Sequence, residues 1–224
     1  MPGSTKSSDA MKSTLYQHIA RVAAALASES RLLLLEYVAQ GERSVETLAT
    51  MTGLSMANCS KHLQALRAAG LVHARKEGLR VYYGLAGDDV VALYSALHHV
   101  AENRVAEVEK LVRTWLRHKD EMEPVPPAEL LDRVAKGLVV VIDVRPPEEY
   151  AAGHVPGAIN VPIDQLESRL AKFPKRKEVV AYCRGPYCLM SFDAVRTLRE
   201  RGIKARRLED GFPEWRAAGL PVER

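Results

Sequence analysis

The stretch Pro124-Val125-Pro126-Pro127 constrains this chain more than any other. Proline lacks an amide donor and holds φ near about −65°, so neither a helix nor a central strand can run through it. Whatever precedes this stretch ends there, and whatever follows starts again. With 224 residues the chain has room for two small domains. The two sides also read differently. Before residue 120 apolar residues recur at helical spacing, with one hairpin signal. After residue 127 short β-branched runs alternate with helical stretches. The expectation is an α+β multidomain chain, with a first domain over 12–119, a proline-rich linker over 120–127 and a second domain over 128–224. At 47% hydrophobic and 27% charged, the composition is that of a globular protein, which excludes a disordered tail. The longest aliphatic runs, 32–35 and 139–142, fall far short of the ~20 residues of a membrane-spanning helix. Residues 1–9 are polar and lack the apolar core of a secretory signal. A cytoplasmic protein with no membrane partner is expected. In a reducing compartment the closely spaced Cys183 and Cys188 point to reactivity or ligation rather than to a structural bridge.

Net charge is +4, of which residues 1–120 carry +3. Between residues 57 and 80, Lys61, Arg67, Arg75, Lys76 and Arg80 face the single acid Glu77, a pattern that suits a nucleic-acid surface. Residues 44–51 read as a short helix, Gly53-Leu54-Ser55 as a turn with Ser55 as N-cap, and 56–69 as a second helix closed by Gly70. That second helix carries Cys59, Leu63 and Leu66 on its apolar face and Asn58, Lys61, His62 and Gln64 on its polar face. Two short helices joined by a tight turn make a helix-turn-helix. A hairpin follows, with arms 71–75 and 79–85 and Lys76-Glu77-Gly78 as its tip. A basic hairpin after such a helix makes a winged helix. Ser55, Asn58, Ser60, Lys61, His62 and Gln64 are then the candidate contacts to a double-stranded DNA operator. Arg75, Lys76 and Arg80 are the candidate phosphate contacts. Residues 88–119 read as one long helix, with Val90, Leu93, Leu97, Val100, Val108, Leu111 and Trp115 near helical period. A helix that long packs either on a second chain, giving a homodimer, or within its own. Cys59 points inward and reads as a small core hydrophobe rather than a redox sensor.

This half resembles the ArsR family of winged-helix repressors. The matching residues are Leu26-Ala27-Ser28-Glu29-Ser30-Arg31-Leu32-Leu33-Leu34-Leu35 for its opening helix. For its recognition helix they are Leu54-Ser55, Ser60-Lys61-His62-Leu63 and Leu66-Arg67-Ala68-Ala69-Gly70-Leu71-Val72. The resemblance implies a homodimer, built with the first and last helices, on a pseudo-palindromic operator. Met56 and Ala57 stand where many members have polar residues, so base preference does not carry over. The Cys-x-Cys of metal-sensing members is missing from residues 42–51. Asp88, His99 and Glu102 partly fit the zinc spacing of other members, but Ala86 occupies a ligand position, and zinc prefers four ligands. No metal and no cofactor are expected, and His98 and His99 read as interface or surface residues.

In the second half, Val139–Asp143 and residues 179–182 are nearly all apolar, as buried parallel strands are. Residues 166–173 and 189–201 read as helices between strands, which makes an α/β domain with a parallel sheet. The segment Val179-Val180-Ala181-Tyr182-Cys183-Arg184-Gly185-Pro186-Tyr187-Cys188 delivers a cysteine to the carboxyl end of a strand, where ligands bind in open α/β sheets. Loop amides and the following helix N-terminus present positive potential, which Arg184 augments. A thiolate is thereby favoured, and Cys183 is expected to be nucleophilic.

The surroundings resemble the rhodanese family. Val141-Ile142-Asp143-Val144-Arg145, Glu148-Glu149-Tyr150 and Gly153-His154-Val155-Pro156-Gly157-Ala158-Ile159-Asn160 match one signature. Asp210-Gly211-Phe212-Pro213-Glu214-Trp215 and Gly219-Leu220-Pro221-Val222 match the closing one. The resemblance implies that Cys183 carries sulfur as a persulfide in a loop built by Arg184, Gly185, Pro186 and Tyr187. It also implies a small sulfur donor such as thiosulfate, polysulfide or a persulfide. Asp143 and Arg145 read as a structural ion pair supporting that loop. Phosphatases related to the family use a longer loop, so sulfur transfer is favoured over phosphoryl or arsenate chemistry. Cys188 is absent from most rhodaneses. It reads as a resolving thiol that attacks a Cys183 persulfide or traps a longer sulfur bridge, or as a half-buried bystander. The two halves together suggest a transcription regulator whose operator binding responds to sulfur. The alternatives are a sulfurtransferase carried on a DNA-binding domain without switching, and a metal- or arsenic-responsive repressor.

Overall fold

The computed structural model describes residues 4–117, 123–170, 173 and 177–224. Its backbone forms two compact units, Met1–Val90 and Val91–Arg224. The first begins with α1 (Ser4–Leu26), which ends before an extended Ser28; α2 (Glu29–Val38) starts just after it. Helices α3 (Val45–Thr52) and α4 (Met56–Ala68) follow. Ser44 and Ser55 cap them, accepting from the amides of Thr47 and Asn58 at 3.2 and 3.3 Å. Each cap satisfies an amide that the helix itself cannot reach. Gly53, in the left-handed conformation, ends α3, and the turn and both helices lie where the sequence pattern predicts them. Leu34, Leu35, Leu48, Cys59, Leu63 and Leu66 are buried; removing each such leucine from water is worth about 1.5–3 kcal/mol.

Strands β1 (Arg43–Ser44), β2 (Val72–Glu77) and β3 (Arg80–Leu85) form an antiparallel sheet in the order β1-β3-β2. Glu77 pairs with Arg80, so the turn is Gly78-Leu79 rather than the expected Lys76-Glu77-Gly78. Gly78 has φ 59°. A glycine in the first position of a two-residue turn matches the twist of the flanking strands, and this places Lys76 and Glu77 within β2. Strand β1 was not expected, since two residues carry no period.

The long helix expected over 88–119 is interrupted. Helix α5 (Asp88–Arg104) is followed by Val105 at φ −112°, ψ 105°, then by α6 (Ala106–Leu111) and a π-helical turn over Val112–Arg117. The β-branched Val105 takes an extended conformation, and residues 118 and 119 lie outside the described residues. The proline stretch is not a free linker either. Val125 is fully buried, and its amide and carbonyl bond to the Arg207 carbonyl (2.7 Å) and the Glu209 amide (3.0 Å). Residues 120–122 are outside the described residues. Pro127 opens α7 (Pro127–Ala135), where a missing amide costs nothing.

Strands β4 (Val139–Asp143), β5 (Ile159–Asn160), β6 (Glu178–Tyr182) and β7 (Ala205–Arg207) form a parallel sheet in the order β5-β4-β6-β7. Apolar clusters flank it. One includes Ile142, Val179, Ala181, Ala194 and Leu198; the other Val141, Val180, Phe212 and Trp215. Along β6 the residues alternate between them, as the pleat requires. Helices α8 (Pro147–Ala152), α9 (Leu166–Arg169), α10 (Leu189–Glu200) and α11 (Phe212–Ala217) complete the unit. Of the helix expected over 166–173, Leu166–Arg169 is helical, preceded by a 3-10 turn at Ile163–Gln165; residues 171 and 172 are outside the described residues.

Candidate functional site

The parallel sheet brings the carboxyl ends of β4 and β6 side by side, with Asp143 paired to Tyr182. Cys183 is the next residue, buried, and its carbonyl accepts from the Phe212 amide at 3.0 Å. The chain then turns so that the Cys188 amide donates to the Gly185 carbonyl at 3.1 Å, and Cys188 is the N-cap of α10. Cys183 and Cys188 are joined in a disulfide, with their α-carbons 6.2 Å apart, inside the range such bridges need. The sulfurs therefore lie over the N-terminus of a twelve-residue helix, where unsatisfied amides favour negative charge.

Three features lie at or beside this loop. First, Asp143 and Arg145 form a wholly buried ion pair at 2.5 Å, as their spacing suggests. Asp143 also accepts from the Arg145 amide at 2.9 Å, and Arg145 donates to the Gly153 carbonyl at 2.8 Å. Second, Arg184 does not present an unshared charge to the cysteine, as the sequence reading expects. It donates to both carboxylate oxygens of the fully buried Glu149, at 2.8–3.1 Å. Glu149 belongs to the quoted sequence signature but was given no role there; a partner 35 residues away leaves no spacing to read. Third, Gly211 presses on the loop. A β-carbon there would meet the Gly185 nitrogen at 2.3 Å, so the position admits only glycine.

Helix α5 also touches this loop. The Tyr187 hydroxyl donates to Glu102 at 2.6 Å, and its ring lies 5.1 Å from that of His98. Ser95 donates to Glu214 at 3.2 Å, and the Gly211 amide donates to the other carboxylate oxygen at 3.2 Å. Burial, aided by Asp210, pushes Glu214 up to about 7 despite these bonds. None of these residues on α5 was assigned to the loop by sequence. A cavity of about 250 Å³ opens at the same end of the sheet, lined by Val144, Pro146, Pro162, Ile163 and Met190 among others. Among the described residues no three His, Cys, Asp or Glu side chains gather where a metal could sit. Of the residues weighed as a partial zinc set, His99 lies against Asn103 and Glu102 accepts from Tyr187.

In the first unit, Ser55, Asn58, Lys61 and Gln64 are exposed, and Ser60 and His62 partly so, on one side of α4. Lys76 and Arg80 are exposed on the hairpin. Arg75 is exposed but engaged. It pairs with Glu77 at 2.6 Å and with Glu42 at 2.9 Å, and Glu42 also meets His73. These bonds hold Glu42 below the usual carboxylate range. A charge count along residues 57–80 missed Glu42 because the sheet imports it from outside that window. Cys59 is buried with its thiol 3.7 Å from the Val45 carbonyl, and burial pushes its pKa up, which fits an unreactive core residue.

A winged helix-turn-helix joined to a parallel α/β unit with a cysteine at a strand end defines the class. Residues 28–74 match the arsR family of bacterial regulatory proteins, and residues 126–218 match the rhodanese-like domain. The chain belongs to the arsR-family transcriptional regulators and carries a rhodanese-like domain at its C-terminal end. It is 48% identical to the HTH-type transcriptional regulator Rv0324 of Mycobacterium tuberculosis, over 95% of this chain and 93% of that one. A sulfurtransferase of Allochromatium vinosum is 33% identical over 38% of this chain and 78% of its own. A solved winged helix-turn-helix domain from Mycobacterium bovis, described as homodimeric and DNA-binding, is 47% identical. It covers 42% of this chain and 87% of that one, with a TM-score of 0.40. No helix among the described residues is long and apolar enough to cross a membrane.

Proposed function

We propose that this regulator takes sulfane sulfur on Cys183, resolves it with Cys188, and thereby changes its affinity for a double-stranded DNA operator. The observation that carries this reading is the disulfide, which closes a six-residue loop at a strand end, over a helix N-terminus. In the reduced protein the Cys183 thiolate attacks the terminal sulfur of a polysulfide or persulfide, RS–SH. A Cys183 S–S bond forms, the RS–SH bond breaks, and RS⁻ leaves with the electron pair. The Cys188 thiolate then attacks the Cys183 sulfur and expels the outer sulfur as sulfide. The dithiol is oxidised by two electrons and the sulfane sulfur is reduced by two. Asp143, Arg145, Glu149 and Arg184 keep the loop in register, while Gly185, Pro186 and Tyr187 shape its path.

On the DNA side, α4 offers Ser55, Asn58, Ser60, Lys61, His62 and Gln64 to base edges and backbone, and the wing offers Lys76 and Arg80, with Arg75, to phosphates. A homodimer supplies the second half-site. In support, Met11, Leu15 and Ile19 are exposed on α1 at a spacing of four, an apolar stripe that a second chain would cover.

Polysulfide added to the reduced chain is expected to yield the Cys183–Cys188 disulfide and one sulfide per chain, read by intact mass and a sulfide assay. Cys188→Ser should stop at a persulfide, 32 Da heavier. Cys183→Ser should give neither product, and sulfide released by that variant at the wild-type yield would overturn the chemistry. A second reading, a sulfurtransferase that turns over without switching, is favoured by the relative of that name. It predicts repeated sulfide release with a thiol acceptor at unchanged DNA affinity.

A further inference from the structure

We infer that α5 reads the state of the cysteine loop through two contacts, Tyr187 on Glu102 and the Gly211–Glu214 turn on Ser95, so that opening the disulfide loosens the C-terminal half of this helix. The inference rests on the proposed cycling of Cys183 and Cys188 between dithiol and disulfide. Ser95, His98 and Glu102 recur at i, i+3 and i+7, so they share one face of α5. Tyr94 joins them, with its ring 4.1 Å from that of His98. His98 in turn lies 5.1 Å from Tyr187, whose hydroxyl bonds Glu102 at 2.6 Å. Tyr187 is the residue directly before the bonded Cys188.

The second contact reaches the same loop from the other side. Ser95 bonds Glu214, Glu214 bonds the Gly211 amide, and the Gly211 backbone has no room to move against Arg184 and Gly185. Both routes therefore end between Cys183 and Cys188. The bridge ties residue 188 to residue 183 and so restricts the backbone that carries Tyr187. Breaking it restores freedom to that segment, and the Tyr187 hydroxyl leaves Glu102. Glu102 sits two residues before the end of α5, and Val105 beyond it is already extended. A helix end frays more readily when a side-chain bond that helps to hold it is lost. The N-terminal end of α5 follows the wing strand β3 by two residues.

The test is hydrogen exchange on the full chain, with the disulfide made by the thiol oxidant diamide rather than by polysulfide. The outcome then does not depend on the sulfur chemistry. Amides of residues 95–104 are expected to exchange at least about tenfold more slowly in the disulfide form than in the dithiol form. The Ser95→Ala/Glu102→Ala variant leaves the loop untouched and places a good helix former at both sites. It should form the disulfide as the wild type does and bring the difference below about twofold. Each single change should remove part of it. Equal exchange in the two wild-type states, or a full difference retained in the double variant, would overturn the inference. A difference in exchange without any polysulfide-driven disulfide would leave the inference standing and remove the sulfur reading.

Discussion

Asp143 and Arg145 form a buried pair at the end of β4, and Asp143 stands beside Tyr182, the last residue of β6. Both are fully buried; they pair with each other, and nearby backbone groups add further bonds. Asp143→Ala removes the buried carboxylate that pairs with the Arg145 guanidinium and is expected to cost about 3–5 kcal/mol, measured by urea unfolding. A loss under about 1 kcal/mol would show that the pair is not what holds this strand end. Glu214 gives a pH signature. Its pKa in the fold is raised to about 7, so the folded state keeps a proton that the unfolded chain gives up earlier. Its contribution to stability is full below the ordinary carboxylate range and is lost as pH rises through about 7. In Glu214→Gln the amide oxygen can accept from Gly211 and its NH₂ can donate to Ser95. At pH 8 the variant should melt about 2–4 °C above the wild type, and at pH 5 no higher. Equal melting temperatures at pH 8 would mean that the carboxylate is solvated there. The Asp143–Arg145 pair was legible because two residues at one strand end must be neighbours. Glu149–Arg184 and Glu42–Arg75 were not, because only the folded sheets bring those partners together.

Elements were legible where a local rule decides them. Ser55 caps its helix, Gly53 ends the helix before it, and the apolar runs over 139–143 and 179–182 lie in strands. They were not legible where a single backbone conformation decides. The break at Val105 follows from one extended residue inside an otherwise helical pattern, and Val125 enters the sheet because its own amide and carbonyl find partners. The turn at residues 211–212 is held by contact with the loop as well as by the Gly211–Glu214 bond. Gly211→Ala is therefore expected to displace the loop and slow disulfide closure at least about tenfold, because the added carbon would sit far inside contact distance of Gly185. Unaltered closure kinetics would refute that. On the wing, Lys76→Ala and Arg80→Ala should each weaken operator and non-operator DNA alike and lower the salt slope by about one. Arg75→Ala should lower it less, since Glu42 and Glu77 already share that guanidinium. An equal loss at all three positions would show that the Arg75 pairs open on DNA.

Across the whole molecule, two compact units are joined in one chain, and a switch needs two sites with a differential affinity between states. The sequence offered candidate residues for both sites and no sign of the inferred coupling. The signal for it is the Ser95, His98 and Glu102 spacing on α5, which gains meaning only once Tyr187 and Glu214 are seen to meet it. The central claim is that sulfur on the loop changes binding to DNA. The measurement closest to it is fluorescence anisotropy on the duplex upstream of the protein's own gene, at fixed salt, with the reduced chain and with the chain given polysulfide. The account predicts a change in Kd of about tenfold or more, absent in Cys183→Ser. Tight binding with the same Kd in both states would contradict it and leave a sulfurtransferase tethered to DNA.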